Sequence, residues 1–135
     1  MRITTKGRYA IRAIINMALN EDNSPISIKK ISSSEELSPI FLEQIFTKLK
    51  KAGITRSVRG ASGGFQLAKE LDEITVLEVL EAVEEGVILA PCTNGEENCV
   101  RSEECMLNHF WGDTERVIRD HLTSQTIRTI LDNYS

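Results

Sequence analysis

The chain has 135 residues, 41% hydrophobic and 27% charged, a globular rather than a disordered composition that fits one folded unit of ordinary size. No apolar run is long enough to span a bilayer, and Met1–Lys6 is not followed by the apolar stretch of a signal peptide, so a cytoplasmic location with no membrane association is expected. The net charge of −4 is unevenly spread: residues 1–70 carry 12 basic and 6 acidic side chains, net +6, and residues 71–135 carry 4 and 14, net −10. A basic half joined to an acidic half is the asymmetry expected where one part meets phosphate and the other does not.

In chain order, Lys6 to Asn20 reads as an amphipathic helix, with Tyr9, Ala13 and Met17 beside Ile11, Ile14 and Ala18 at three- and four-residue spacing. The polar cluster Glu21–Pro25 is a turn. Ser27 caps a second helix to about Ser34, with Ile28 and Ile31 on its inner side. Glu35–Leu37 is a short connection. Ser38 followed by Pro39 is an N-cap and N1 pair, the strongest helix start in the sequence. The helix it opens has Phe41, Leu42, Ile45, Phe46 and Leu49 as its apolar stripe and stops at Gly53. Two short strand-like runs, 54–59 and 65–68, flank the glycine-rich tip Gly60–Gly64 and form a hairpin. The order helix, helix, helix, hairpin is that of a winged helix-turn-helix, with the helix-turn-helix at about 28–51 and the wing at about 54–68.

Beyond the wing, Ile74 to Glu85 reads as a helix capped by Asp72, residues 87–104 as a loop, about Met106 to Leu122 as a long helix, and Ser124 to Asn133 as a short final one. Phe110, Trp111, Val117, Ile118 and Leu122 give the long helix a broad apolar stripe, which predicts a homodimer. The fold expected is therefore mainly α: a winged-helix DNA-binding domain over 1–70, then a helix, a cysteine loop (87–105) and dimerisation helices over 71–135.

Three constellations carry chemistry. A recognition helix needs short polar side chains near its N-terminus, where it enters the major groove. Ser38, Ile40, Glu43 and Gln44 stand there, and Lys48 further along the helix is a DNA-binding candidate too: Gln44 suits adenine and Glu43 the cytosine amino group, unless Glu43 pairs with Lys48 instead. In the wing, Arg56 and Arg59 flank a tip of Gly60, Ser62, Gly63 and Gly64 small enough for backbone to approach the sugar-phosphate ribbon, and Arg59 suits a minor groove or a phosphate. Lys6, Arg8, Lys29 and Lys30 are weaker phosphate candidates. The partner implied is double-stranded DNA with a palindromic operator. The third constellation is Cys92, Cys99 and Cys105, all within 14 residues, followed by His109. Clustered thiolates in a polar, acidic loop select a soft metal, whether zinc, copper(I) or an iron–sulfur cluster, although the wide spacing lacks the paired knuckles of structural zinc sites. No Ser-His-Asp set, phosphate-cradling loop or dinucleotide fingerprint is present, so the chain reads as a regulator rather than an enzyme.

The opening Met1–Ala10, the helix residues Phe41–Phe46, the wing Ser57–Phe65 and the loop ending Cys105-x5-Trp111 resemble the IscR-type regulators of the Rrf family over essentially the whole chain. The resemblance implies a homodimeric winged-helix regulator that senses iron–sulfur status, nitric oxide, redox state or cysteine supply. It implies Glu43 and Gln44 as base readers, Arg59 in the minor groove, and Cys92, Cys99 and Cys105 around a cluster, 2Fe-2S ahead of 4Fe-4S, with zinc as the alternative. Two departures stand out. The iron–sulfur-biogenesis branch is expected to carry a histidine three residues after the third cysteine, where this chain has Asn108 and then His109. The nitric-oxide-sensing branch resembles a site with an acidic ligand near the start of the first helix, where this chain has Arg8. A metal-free thiol switch, and a cysteine-metabolism regulator controlled by a partner protein, are the alternative functions; the cysteine-metabolism branch is expected to lack the three-cysteine loop.

Overall fold

The computed structural model describes residues 2–93 and 104–134. Among the described residues, six α-helices and one two-stranded antiparallel hairpin run in the order α1 (Thr5–Ala18), α2 (Ile28–Glu35), α3 (Pro39–Lys51), β1 (Thr55–Val58), β2 (Gly64–Leu67), α4 (Val76–Ala82), α5 (Met106–Ser124) and α6 (Ile127–Tyr134). Single 3-10 turns occupy Glu21–Asn23 and Pro91–Thr93. The winged helix-turn-helix expected from the sequence is present.

Local chemistry sets most boundaries. Thr4, Ser27, Ser38 and Thr75 sit in extended backbone and accept from the amides of Gly7, Lys30, Phe41 and Glu78, each satisfying one of a helix's orphan donors. Pro39 follows Ser38 at the first position of α3, where its missing amide hydrogen costs nothing. Glu36 closes α2 in left-handed backbone, and Leu37 tucks into the core before α3 begins. The helix after the wing is shorter than the pattern suggested, and Asp72 does not cap it. Thr75 is held extended by an antiparallel bridge to Thr126, so the helix starts only at Val76. Its end is set by Glu84, which turns into left-handed backbone at φ 64°.

One hydrophobic core gathers these elements. Ala13, Ile14, Leu42, Phe46, Leu49, Ile54, Ile74, Val79, Val83 and Ile127 are completely buried and belong to a single cluster. Fully burying a side chain the size of Phe46 contributes about 1.5–3 kcal/mol, and its ring lies 4.7 Å from that of Phe65, which ties the recognition helix to the wing. Two main-chain stitches close the structure. Ile26 exchanges amide-to-carbonyl bonds of 2.9 and 2.8 Å with Phe65, fixing the wing to the segment before α2. At the other end, the Val76 amide donates to Gln125 O at 2.8 Å and the Ile127 amide to Ile74 O at 2.9 Å, fixing α6 to the start of α4.

The wing is compact. Thr55, Arg56, Ser57 and Val58 face Leu67, Gln66, Phe65 and Gly64 in register. At its tip Gly60 takes φ 111°, a conformation that side chains resist. A Cβ on Gly63 would lie 2.2 Å from the Val58 carbonyl oxygen, and one on Gly64 would lie 2.3 Å from that of Ile26. Both obstacles are main chain and cannot rotate away. Gly64→Ala is therefore expected to lower unfolding free energy by about 2 kcal/mol or more. Gly112→Ala on α5, where an added Cβ meets nothing within 4 Å, is expected to be neutral or stabilising by up to about 1 kcal/mol. Urea denaturation of the two variants checks this.

Candidate nucleic-acid interface and cysteine segment

The residues proposed to read DNA lie on the solvent side of α3. Leu42, Ile45, Phe46 and Leu49 are buried, whereas Ser38, Ile40, Glu43 and Gln44 are exposed, and Ile40 keeps 71% of its surface in water. One-sided burial orients the polar side outward without any other constraint. The Ser38 hydroxyl caps the helix by accepting from Phe41 N at 3.4 Å, which leaves its proton to donate. Thr47 folds back onto the Glu43 carbonyl at 2.8 Å.

Lys48 does not pair with Glu43. Its ammonium donates to Glu84 Oε2 at 2.9 Å, across 36 positions of sequence. That hydrogen bond, reinforced by the charge of Lys48 and then of Lys6, holds the Glu84 carboxyl below the usual carboxylate range. An acid thus stands among the lysines at the back of the recognition helix.

The two wing arginines differ. Arg56 Nε donates to Gln66 Oε1 at 3.0 Å, and Gln66 Nε2 donates in turn to Asn23 O at 2.8 Å, so Arg56 is drawn onto the wing's base. It lines an open groove of about 890 Å³ with Asn23, Leu67 and Arg128. Arg59 is exposed at the tip, with no hydrogen-bond or ion-pair partner among the described residues. Gly60, Ala61 and Ser62 beside it are exposed as well, whereas the small size of Gly63 and Gly64 is already required by the hairpin's own packing. Of the weaker candidates, Lys29 and Lys30 are exposed on α2, and the Arg8 guanidinium donates to Thr5 Oγ1 at 3.3 Å.

Of the three cysteines, Cys99 lies outside the described residues. Cys92 occupies the Pro91–Thr93 turn, and Cys105 is the N-cap residue of α5; both are half-buried free thiols. Cys105 makes no side-chain capping bond, so its sulfur is available as a ligand. Among the described residues no three His, Cys, Asp or Glu side chains are gathered as a metal ion requires. The donor chemistry of the two described thiols suits a soft metal centre. His109 is exposed one helical turn beyond Cys105, and Asn108 is half-buried, with its amide donating to Cys105 O at 3.1 Å.

The stripe expected on α5 divides in two. Trp111, Ile118 and Leu122 are half-buried on the side that meets α4 and the Cys92 turn, while Phe110 and Val117 remain 55% and 70% exposed, with Met106 at 87% and Leu107 at 55%. The helix packs on its own fold along one side and leaves a second apolar side uncovered. A buried carboxylate that the sequence pattern did not single out lies on the packed side. Glu115 is only 8% exposed and accepts from the Leu89 amide at 2.6 Å and from the Thr93 hydroxyl. The available signal was a carboxylate at the 111–115–118–122 spacing, where every other residue is apolar.

Among the described residues no helix is long and apolar enough to cross a membrane. The family model for Rrf2, the iron-dependent transcriptional regulators, matches residues 3–133. The regulator IscR of Erwinia tasmaniensis is 38% identical over 133 residues, covering 98% of this chain and 80% of the relative. IscR of Klebsiella pneumoniae is 36% identical over the same length, covering 98% and 81%. Among solved structures, that of CymR, the global cysteine regulator of B. subtilis, superposes with a TM-score of 0.83 at 28% identity, covering 100% of this chain and 99% of that one. That of T. potens IscR gives 0.78 at 30%, covering 100% and 89%. These relatives are transcriptional regulators, not enzymes, and they carry the same winged helix. The chain belongs to the Rrf2 family and is a helix-turn-helix, DNA-binding transcriptional regulator.

Proposed function

We propose that the protein is a cytoplasmic homodimer that binds a palindromic operator and senses iron–sulfur cluster or redox status through Cys92, Cys99 and Cys105. The observation that carries the DNA-binding reading is the pairing of a one-sidedly buried α3 with a wing whose tip presents an unpartnered arginine. On this reading α3 lies in the major groove, with Glu43 and Gln44 reading base edges and Ser38 and Ile40 at the point of approach. Arg59 enters the adjacent minor groove, and the exposed backbone around Gly60 and Ser62 runs close to the sugar-phosphate ribbon. Lys48 and Arg56 meet phosphate once released from Glu84 and Gln66.

The uncovered apolar side of α5, with Met106, Phe110 and Val117, supports a two-fold dimer built on that helix. Two recognition helices so related would address half-sites about 34–36 Å apart or a multiple of that. Cys92, Cys99 and Cys105 would hold the cluster, with His109 as the fourth-ligand candidate. A bound cluster supplies an oxidisable, oxygen-labile centre. The chain's own contribution is to place two of the thiols on the turn and the cap that flank α5, the helix carrying the proposed dimer surface. Likeness to CymR, a global cysteine regulator, favours one second reading, a cysteine-metabolism regulator controlled by a partner protein.

Three outcomes are expected. Protein purified without oxygen should absorb in the visible and contain near-equal iron and sulfide; a colourless protein holding zinc, or no metal after reconstitution, moves the assignment to zinc or a bare thiol switch. Arg59→Ala should weaken operator binding by about 1–3 kcal/mol and blur sequence preference, and unchanged affinity and specificity in an electrophoretic shift titration would remove Arg59 from the interface. Glu84→Gln should free Lys48 for phosphate and steepen the dependence of log affinity on log salt by about 1. Because the Glu84 carboxyl is held low, its ion pair with Lys48 persists at neutral pH and dissolves only as pH falls through that lowered value. The difference between the two proteins should accordingly vanish in acid.

A further inference from the structure

We propose that Glu115 is a positioning residue for Cys92, a latch on α5 that fixes the turn carrying this thiol; its functional meaning rests on the reading of Cys92 as a sensing residue. A carboxylate in the middle of a helix that is 8% exposed needs strong partners to remain there. Its partners are both donors from the other segment. The Leu89 amide at 2.6 Å and the Thr93 hydroxyl converge on the same oxygen, Oε1, so one acceptor fastens both ends of the five-residue stretch 89–93 that contains Cys92.

That stretch has internal order of its own, because the Thr93 amide donates to the Ala90 carbonyl at 3.1 Å, while the single proton of the Thr93 hydroxyl is shared between that carbonyl, at 2.8 Å, and Glu115. What Glu115 adds is its placement against α5, the helix that Cys105 caps. One turn further along α5, Arg119 donates to Glu81 of α4 at 2.8 Å. Residues 81–93 are thus held to a single ridge of α5 at both ends, with the buried Val87 between them.

The substitution Glu115→Leu suits the apolar spacing of Trp111, Ile118 and Leu122 and keeps the helix packed, but it removes the acceptor. Glu115→Gln keeps an acceptor oxygen and should restore the latch, whereas Thr93→Val removes one donor without touching α5. The test is a timed iodoacetamide reaction on reduced, metal-free full-length protein, with Cys92 and Cys105 followed separately by mass spectrometry of their peptides. Alkylation of Cys92 is expected to accelerate roughly tenfold or more in Glu115→Leu, to accelerate less in Thr93→Val, and to stay near the wild-type rate in Glu115→Gln, with Cys105 little changed. An unchanged Cys92 rate in both Glu115→Leu and Thr93→Val overturns the proposal. So does equal acceleration at Cys105, which would report general loosening of α5. Reconstitution with iron and sulfide gives a second readout: the visible band of Glu115→Leu should bleach faster under a chelator than that of wild type or Glu115→Gln. If wild type takes up neither iron nor sulfide, the cluster reading fails, and the alkylation rates still decide whether the latch exists.

Discussion

Everything the protein offers to DNA depends on burying one side of α3. Leu42, Ile45, Phe46 and Leu49 are driven into a core that α1, the wing and α4 share, and that burial fixes which way Glu43 and Gln44 point. No polar interaction with a neighbouring element is needed to aim them. The wing inherits the same constraint, since Phe65 packs on Phe46 and is stitched by main-chain bonds to Ile26. The reading helix and the arginine-bearing tip are therefore placed by one set of apolar contacts, and a cavity in that set would disturb both at once.

Charged contacts form a second layer over this core. Glu85 accepts from the Thr4 amide at 3.0 Å and from the Thr4 hydroxyl, placing a carboxylate at the positive end of α1. Glu81 meets Arg119 and Glu84 meets Lys48, so three acids within five residues link the end of α4 to α1, α5 and α3. The two exposed ion pairs, Glu81 with Arg119 and Glu84 with Lys48, contribute little stability each. Their value lies in register, because they connect the helix beside the cysteine turn with the helix proposed to face the major groove.

The parts legible in the sequence are those decided by neighbours along the chain. Ser27 and Ser38 cap the helices they precede, Pro39 marks the first turn of α3, and the glycines of the tip mark the hairpin, because capping and turn chemistry act over three or four residues. The parts that were not legible are decided by distant partners. Asp72 had the composition of a cap, but Thr75 takes the role because its bridge to Thr126 holds it extended. Lys48 had an acid five residues back in Glu43 and paired with another 36 residues away. The α5 stripe could be seen, but its division into a side packed on α4 and a side left bare depends on where α4 lies. The cysteine triplet was legible as composition; the hold on its first member was not, since Glu115 looks like an ordinary helix glutamate until Leu89 and Thr93 fold against it.

The bridge between Thr75 and Thr126 has a consequence for how the molecule melts. It brings Ile127 fully into the core that α1 and α3 occupy, so the last helix of the chain shares its cohesion with the first. Among the described residues such an arrangement leaves no weak seam between the winged helix and the elements that carry Cys92 and Cys105, and the whole should unfold in one cooperative transition. Any ligand gripped at the cysteine end would then raise the melting temperature of the reading helix as well, a thermodynamic linkage that requires no change of shape.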